Sequence, residues 1–318
     1  MARGRIIKKV VELEECTLEM ASNEFYRYNR VKGLSEASQK IYVGYINRFI
    51  EWCGKNMPTS ELDARVLDNY VIKKEEDGNK PVSIATTMKH IRSFVNFCEK
   101  RNYLEKIEVT IPKFEVELKE PYTDAEMKLL LARPVVNNWV EWRNWCMVNY
   151  FFSTGQRLST VLNIKIKHID FDNYKVKLEW NKDKIQKYMP LSTALVKVLN
   201  EYIELSGLED EDYLFPEYEG KQLKAKSAQD TIAEYNKKRG VSKTSIHLFR
   251  HTFAKNYIMN GGNPMKLQKL LAHKTLDMTM KYVNLYGNDV GSDLDLYNPL
   301  DSFKRNNHIP TKRLTVAR

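Results

Sequence analysis

The chain has 318 residues, of which 42% are apolar and 29% charged, and its formal net charge is +10 at pH 7. This length suffices for about two domains, and the composition excludes a disordered chain. No apolar run approaches the roughly 18 residues that a membrane-spanning helix needs, and no secretory signal is recognisable, so a cytoplasmic location is expected. The four cysteines lie far apart, which predicts reduced thiols and neither disulfides nor a zinc site.

The basic excess extends over both halves of the chain, so both halves could face a polyanion, although a solubilising surface explains it equally well. Residues 1–22 form an N-terminal extension, and residues 23–112 predict an all-helical domain. Ser35 fits the N-cap of its first helix, and the turn at Gly78 ends its second. At the other end, residues 304–318 form a basic tail.

Residues 113–121 predict an extended linker, because prolines flank the segment and no helical period continues through it. Thr123 and Glu126 then form a capping box, which opens a second domain over residues 122–303. Within that domain, alternation around Val176 predicts a small antiparallel sheet among helices. The expected fold class is therefore mainly α (α+β).

Six side chains of the second domain would suit phosphoryl transfer without a metal ion. They are Arg157, Lys182, His247, Arg250, His273 and Tyr282. Arginines donate paired hydrogen bonds to phosphate oxygens and offset the charge that develops in the transition state. A tyrosine hydroxyl can serve as a nucleophile once it is activated, and a lysine or histidine can protonate the departing oxygen.

Neighbouring residues compete for two of these roles. Tyr286 lies on the same helix face as Tyr282, four residues further on, and remains the rival nucleophile. Lys184 shares the turn with Lys182 and remains the second candidate for the catalytic lysine. The chain has 18 tyrosines, and an arbitrary one of them is usually a core or surface residue, so only the spacing from His273 selects the nucleophile.

A metal site is not predicted, and no cofactor is expected. His247 and His251 are spaced as a metal-binding pair on a helix would be, but the glutamate of the HExxH motif is absent. Arg250 lies between them and would repel a cation. His251 is therefore interpreted as a residue that packs its helix and is not assigned to catalysis.

The ordered set of six residues resembles the tyrosine recombinases, also called the phage integrase family. The surrounding segments TGQRLS, HLFRHTFA and LLAHKTLDMTMKYV resemble that family as well, as does the spacing from the hairpin lysine to Pro190. The resemblance covers the whole second domain, and the helical first domain is similar to the family's core-binding domain. A single motif such as HxxR is weak, whereas the full set in order is highly specific.

The resemblance implies a mechanism that needs neither metal nor ATP. Tyr282 would attack a scissile phosphodiester, form a 3′-phosphotyrosyl link and release a 5′-hydroxyl, with Lys182 protonating the leaving oxygen. The two arginines would clamp the phosphate, and His247 and His273 would position it and assist proton transfer. A homotetramer would act on two DNA duplexes through a Holliday junction, for integration or excision of a mobile element or a related rearrangement.

The resemblance also implies DNA contacts and leaves other functions open. The candidate DNA-contacting residues on helices of the first domain are Lys40, Arg48, Lys89 and Arg92. An accessory DNA-bending or directionality protein is a further expected partner. Two alternatives remain: a DNA-binding regulator that keeps the fold without chemistry, and an enzyme that relaxes supercoiled DNA.

Three positions depart from the family pattern. Thr160 stands where an acidic residue is common, which leaves the supporting role of that acid unassigned. Ala272 replaces the glycine of the family's LGH, and Ile246 occupies a position where proline is frequent. None of these changes removes one of the six side chains.

Overall fold

The computed structural model describes residues 16–114, 120–135, 138–178 and 187–287. The chain divides into two compact units, Met1–Leu118 and Lys119–Arg318, and each has its own apolar core. Within the described residues there are twelve α-helices and one three-stranded sheet, which confirms the mainly helical fold class. No helix in these ranges is both long and apolar enough to cross a membrane.

The first unit is built from four helices. They are α1 (Leu18–Val31), α2 (Glu36–Cys53), α3 (Ala64–Glu76) and α4 (Pro81–Lys100). Thr17, Ser35 and Asp63 cap the first three, because each side chain accepts a hydrogen bond from a backbone N–H of the first turn. Helix α1 was not predicted, because the helix capped by Ser35 was expected to be the first of the domain. It begins before residue 23, the expected start of the domain, and Thr17 caps it while Leu18 is fully buried in the core.

The second unit holds the remaining helices and the sheet. They are α5 (Asp124–Leu131), α6 (Trp139–Thr154), α7 (Leu158–Val161), β1 (Ile169–Asp170), β2 (Lys175–Leu178), β3 (Lys187–Pro190), α8 (Thr193–Ser206), α9 (Ala225–Lys238), α10 (Ile246–Met259), α11 (Pro264–Leu271) and α12 (Asp277–Tyr286). The strands pair antiparallel in the order β1-β2-β3, with Val176 opposite Met189. Both of these side chains are buried, as the alternation predicts.

Helix α6 is the central element of the second unit, and it packs against α8 and α10. Its mostly apolar sequence is explained by this position, since Cys146, Met147 and Tyr150 are fully buried. The helix ends at Gly155, which adopts a left-handed conformation with φ of 61°. Phe249 of α10 stacks against Phe151 of α6, and this contact brings the start of α10 close to the end of α6.

The capping box at the start of α5 gives a stability prediction. The Thr123 hydroxyl accepts a hydrogen bond from the backbone N–H of Glu126, and the Glu126 carboxylate accepts one from the backbone N–H of Thr123. We expect Thr123→Ala to lower the free energy of unfolding of this unit by about 1 kcal/mol, because an N-cap is lost. Urea unfolding followed by circular dichroism measures the loss. Thr123→Ser keeps the hydroxyl and should cost less than half as much, and equal losses would contradict a capping role.

Candidate active site

Arg250 is the buried cation around which the site is assembled. It lies on α10 with only 4% of its surface exposed. Its Nη1 donates to the carbonyl oxygen of Gly155 at 2.9 Å, and its Nη2 donates to that of Leu271 at 2.7 Å. These two carbonyls belong to the C-terminal ends of α6 and α11, where the helix dipole is negative. The guanidinium therefore ties three helices together.

Arg157 is a second, half-buried guanidinium beside the first. It follows Gly155 closely and occupies the residue position just before α7, without a capping hydrogen bond from its side chain. Its Nη1 and Nη2 donate to the carbonyl oxygen of Ala272, each at 3.4 Å. Burial, and then the charge of Arg157, lower the pKa of Arg250 to about 10, so Arg250 stays cationic at neutral pH. Two adjacent cations sharing one helix end form a site suited to an anion such as a phosphate.

Gly155 cannot be replaced by a larger residue without moving its neighbours. A Cβ atom built there would lie 2.5 Å from Cδ1 of Phe253 and 2.7 Å from Cδ2 of Leu271. Its positive φ also disfavours any L side chain. The close approach of the end of α6 to α10 and α11 therefore depends on this glycine, and with it the carbonyl that holds Arg250.

His273 is a neutral imidazole next to the two arginines. It is buried, and its Nδ1 lies 2.8 Å from the Thr279 hydroxyl oxygen. Burial, followed by the charges of Arg250, Arg157 and His251, lowers the pKa of His273 to about 4. The ring is therefore uncharged at neutral pH and can donate or accept one hydrogen bond at its Nε2, according to its tautomer.

Tyr282 lies on α12 with 8% of its surface exposed. Its hydroxyl oxygen lies 2.8 Å from Nδ1 of His251, and its ring lies parallel to that of His273, with 6.4 Å between centroids. Burial raises the pKa of Tyr282 above its usual 10, while Arg250 opposes that shift and Tyr286 adds to it. The phenol therefore carries its proton at neutral pH and needs a base to become a strong nucleophile.

His247 lies on the exposed side of the site. Together with Arg157, it borders a cavity of about 470 Å³, whose wall also includes Ser159 and Thr244. The ring of His247 meets the ring of His251 edge to face, with 4.8 Å between centroids. The cavity gives an external ligand access to the more exposed of the two arginines.

The structure thus brings five of the six predicted site residues into one region of the second unit. Lys182 lies outside the described residues, as does its rival Lys184, so the choice between them remains a prediction. Tyr286 is half-buried and faces Lys255, whose Nζ lies 5.6 Å from its ring centroid. Within the described residues, no three histidine, cysteine or acidic side chains converge as metal ligands would.

His251 is the residue that sequence reasoning missed. It was assigned to helix packing, whereas its Nδ1 contacts the hydroxyl of Tyr282. The available signal was its spacing, because position i+4 from His247 lies on the same face of α10. That spacing predicts at most a metal-binding pair within α10, because the partner on α12 is distant in sequence.

The candidate DNA-contacting residues lie on α2 and α4 of the first unit, and all four are exposed. Lys40 pairs with Glu36 at 2.9 Å on the surface of α2. The Arg48 guanidinium lies 5.1 Å from the ring centroid of Tyr45, and Nζ of Lys89 lies 5.3 Å from that of Phe114. Exposure is compatible with phosphate contacts, and their role stays a prediction.

Comparison with known families assigns the chain. Residues 123–288 match the model described as the phage integrase family, and residues 22–103 match its N-terminal SAM-like domain. The chain belongs to the phage integrase family. It is a DNA strand-transferase of the tyrosine recombinase type, a class that works without metal, which confirms the resemblance read from the motifs.

Individual relatives agree with this assignment. The tyrosine recombinase XerC of Salmonella typhi is 26% identical over 298 residues, which cover 90% of this chain and 98% of that protein. The Tn1549 transposon integrase in complex with a circular intermediate DNA has a TM-score of 0.72 and 15% identity, over 91% of this chain and 99% of that one. A lambda integrase tetramer bound to a Holliday junction has a TM-score of 0.70 and 16% identity, over 88% of this chain and 80% of that one. The two structures share the fold of this chain.

The left-handed residue at the end of α11 gives a second stability prediction. Ala272 has φ of 47°, a conformation that costs an alanine about 1–2 kcal/mol and a glycine nothing. Glycine also loses roughly 0.4–1 kcal/mol more in chain entropy on folding. We therefore expect Ala272→Gly to raise the free energy of unfolding by roughly 0.5–1 kcal/mol. Urea unfolding measures the gain.

The matched control is Ala132→Gly at the end of α5, where φ is −58° and no strain is relieved. This variant should lose stability. If Ala272→Gly and Ala132→Gly shift the unfolding midpoint in the same direction, backbone strain at Ala272 does not explain the effect, and the prediction is contradicted.

The buried imidazole gives a pH prediction. The pKa of His273 is about 4 in the folded state against its usual 6.5. Between these values the unfolded chain binds a proton that the folded chain does not, so the free energy of unfolding falls as the pH falls through that window. We expect His273→Gln to flatten this part of the stability curve, measured by urea unfolding at pH values from about 7 to about 4. A titration of His273 near 6.5, followed by NMR, would contradict the assignment.

Proposed function

We propose that the protein is a site-specific DNA recombinase that cleaves and rejoins strands through a 3′-phosphotyrosyl intermediate at Tyr282. The observation that carries the proposal is the convergence of two guanidinium groups on the C-terminal end of α11, beside His273 and the Tyr282 ring. His273 senses the charges of both arginines, so these groups belong to one electrostatic site.

Each step of the proposed reaction has an assigned group. The two arginines bind the non-bridging oxygens of the scissile phosphate from the cavity side. Tyr282 loses its proton and attacks phosphorus, while Lys182 protonates the departing 5′-oxygen. His247, at the mouth of the cavity, and the neutral His273 donate hydrogen bonds to the phosphate. Attack by the 5′-hydroxyl of a partner strand reverses the step, so the energy of the phosphodiester is conserved.

The proposal extends to assembly and biological task. A homotetramer would act on two duplexes and pass through a Holliday junction, which the fold likeness to a lambda integrase tetramer on such a junction supports. Integration or excision of a mobile element is favoured by the likeness to a transposon integrase with circular intermediate DNA. The helical domain, residues 23–112, would hold the core DNA through Lys40, Arg48, Lys89 and Arg92.

Recombination would take place in the cytoplasm, with an accessory DNA-bending or directionality protein as a further partner. The catalytic domain would extend over residues 122–303 and the linker over residues 113–121. In the same scheme, the neighbouring protomers of the tetramer would be active two at a time.

The test uses DNA that the protein itself selects. A duplex pool with a randomised central segment is enriched for binding to the full chain, and nicked duplexes are then tiled across the recovered sequence. Wild type should form a covalent adduct with one of these suicide substrates, visible as a slower band on a denaturing gel. Tyr282→Phe should form none, because the nucleophilic oxygen is missing, and EDTA should not reduce the yield.

Tyr286→Phe is the matched control on the same helix and should form the adduct as wild type does. Adduct formation by Tyr282→Phe would refute the assigned nucleophile. Selective binding without any adduct from wild type would identify a regulator, and relaxation of supercoiled plasmids irrespective of sequence would identify a relaxing enzyme.

A further inference from the structure

We propose that His251 is the base that receives the proton of Tyr282 when the phenol attacks DNA. This inference rests on the proposed function and deepens it, because it adds a catalytic group outside the six residues. It follows from one contact between α10 and α12, in which the hydroxyl oxygen of Tyr282 lies 2.8 Å from Nδ1 of His251. This is the distance of a strong hydrogen bond.

The contact has the geometry that proton transfer requires. The two rings are 5.7 Å apart at their centroids and tilted by 45°, so the hydroxyl meets the edge of the imidazole where Nδ1 lies. If the phenol donates, Nδ1 must carry the lone pair and Nε2 the hydrogen. That tautomer is the form of histidine that can accept a proton from Tyr282 without any rearrangement.

The other two histidines are worse placed for this role. His273 is held through Nδ1 against Thr279, and its pKa of about 4 makes it a weak base at neutral pH. His247 is exposed at the cavity that Arg157 borders, where an incoming phosphate would meet it. His251 contacts the rings of both His247 and Tyr282, so it connects the nucleophile to the cavity side of the site.

The surrounding charges link the proton transfer to DNA binding. His251 contacts His247 on its own helix and Tyr282 on α12. Its charge acts on His273, which also senses the charges of Arg250 and Arg157. A proton on His251 adds a third positive charge beside two guanidinium groups. The phosphodiester anion offsets that charge, so His251 accepts the proton most readily when the phosphate of DNA is bound by Arg157 and Arg250.

The proposed step balances. The O–H bond of Tyr282 breaks and its proton moves to Nδ1 of His251, while the oxygen electron pair forms the new O–P bond. The P–O5′ bond breaks, and the leaving oxygen takes a proton from the general acid, assigned above to Lys182. On rejoining, the 5′-hydroxyl gives its proton back to that lysine and His251 returns its proton to the departing phenolate.

The first test needs no DNA. Nitrogen-15 NMR of histidine-labelled full chain identifies the tautomer of His251, with the signal assigned by its loss in His251→Asn. We expect Nδ1 without a hydrogen near neutral pH, and a shift of this nitrogen in Tyr282→Phe. A hydrogen on Nδ1 in the neutral ring would overturn the proposal, because the phenol would then be the acceptor.

The second test uses the nicked duplex recovered above. His251→Asn places an amide oxygen near the Nδ1 position, where it can accept the hydrogen bond but cannot take up the proton. We expect adduct formation about 100-fold slower than wild type and a pH–rate profile without the acid limb that protonation of His251 causes. Noncovalent binding of the same duplex in a gel-shift assay should stay unchanged.

A third variant separates a chemical role from a merely structural one. His251→Ala opens space for added imidazole, which should restore adduct formation with a rate that rises with the basicity of substituted imidazoles. His168→Asn is the control for a histidine of the same unit that accepts a backbone hydrogen bond, and it should react as wild type does. A wild-type rate and pH profile in His251→Asn would overturn the inference. If wild type itself forms no adduct, the proposed function fails, and the tautomer measurement still decides whether His251 accepts from Tyr282.

Discussion

The site depends on the hydrogen bonds from one buried guanidinium to the carbonyls of Gly155 and Leu271. Burying a cation costs free energy unless its N–H donors are satisfied, and the two carbonyls satisfy those of Arg250. In return, the guanidinium gives a hydrogen-bond donor to carbonyls at two helix ends. Because the bonds fix the end of α6, they also fix where the chain emerges from Gly155 and hence where Arg157 lies. The bond to Leu271 holds the end of α11 against α10 in the same way.

Charge is distributed unevenly over the site, and this unevenness prepares it for an anion. Arg250 keeps its proton, whereas His273 is held neutral and Tyr282 is held protonated, both mainly by burial. The assembled groups therefore carry a net positive charge in the absence of substrate. In the proposed function, a phosphodiester relieves the repulsion between the guanidinium groups, so electrostatics couple its binding to the loss of the Tyr282 proton.

Local signals in the sequence predicted most of the elements, because helix ends are determined within a few residues. The caps at Ser35 and Thr123 lie where their patterns place them. Helix α1 was missed, since the burial of Leu18 depends on helices that follow much later in the chain. His251 was missed for the same reason: its partner is 31 residues away, and no spacing rule within one helix points to Tyr282.

Ala272 shows how the site holds a conformation that its own residue disfavours. The N–H of His273 donates to the carbonyl of Gln268, which closes α11 in the manner of a Schellman motif and requires a left-handed residue at Ala272. That turn directs the carbonyls of Leu271 and Ala272 towards the two arginines. The strain is therefore opposed by charge-assisted hydrogen bonds at the same peptide units, and strain of this size persists where surrounding contacts over-determine the backbone. An alanine is tolerated here because the guanidinium groups, and not the preference of the residue, set the path of the chain.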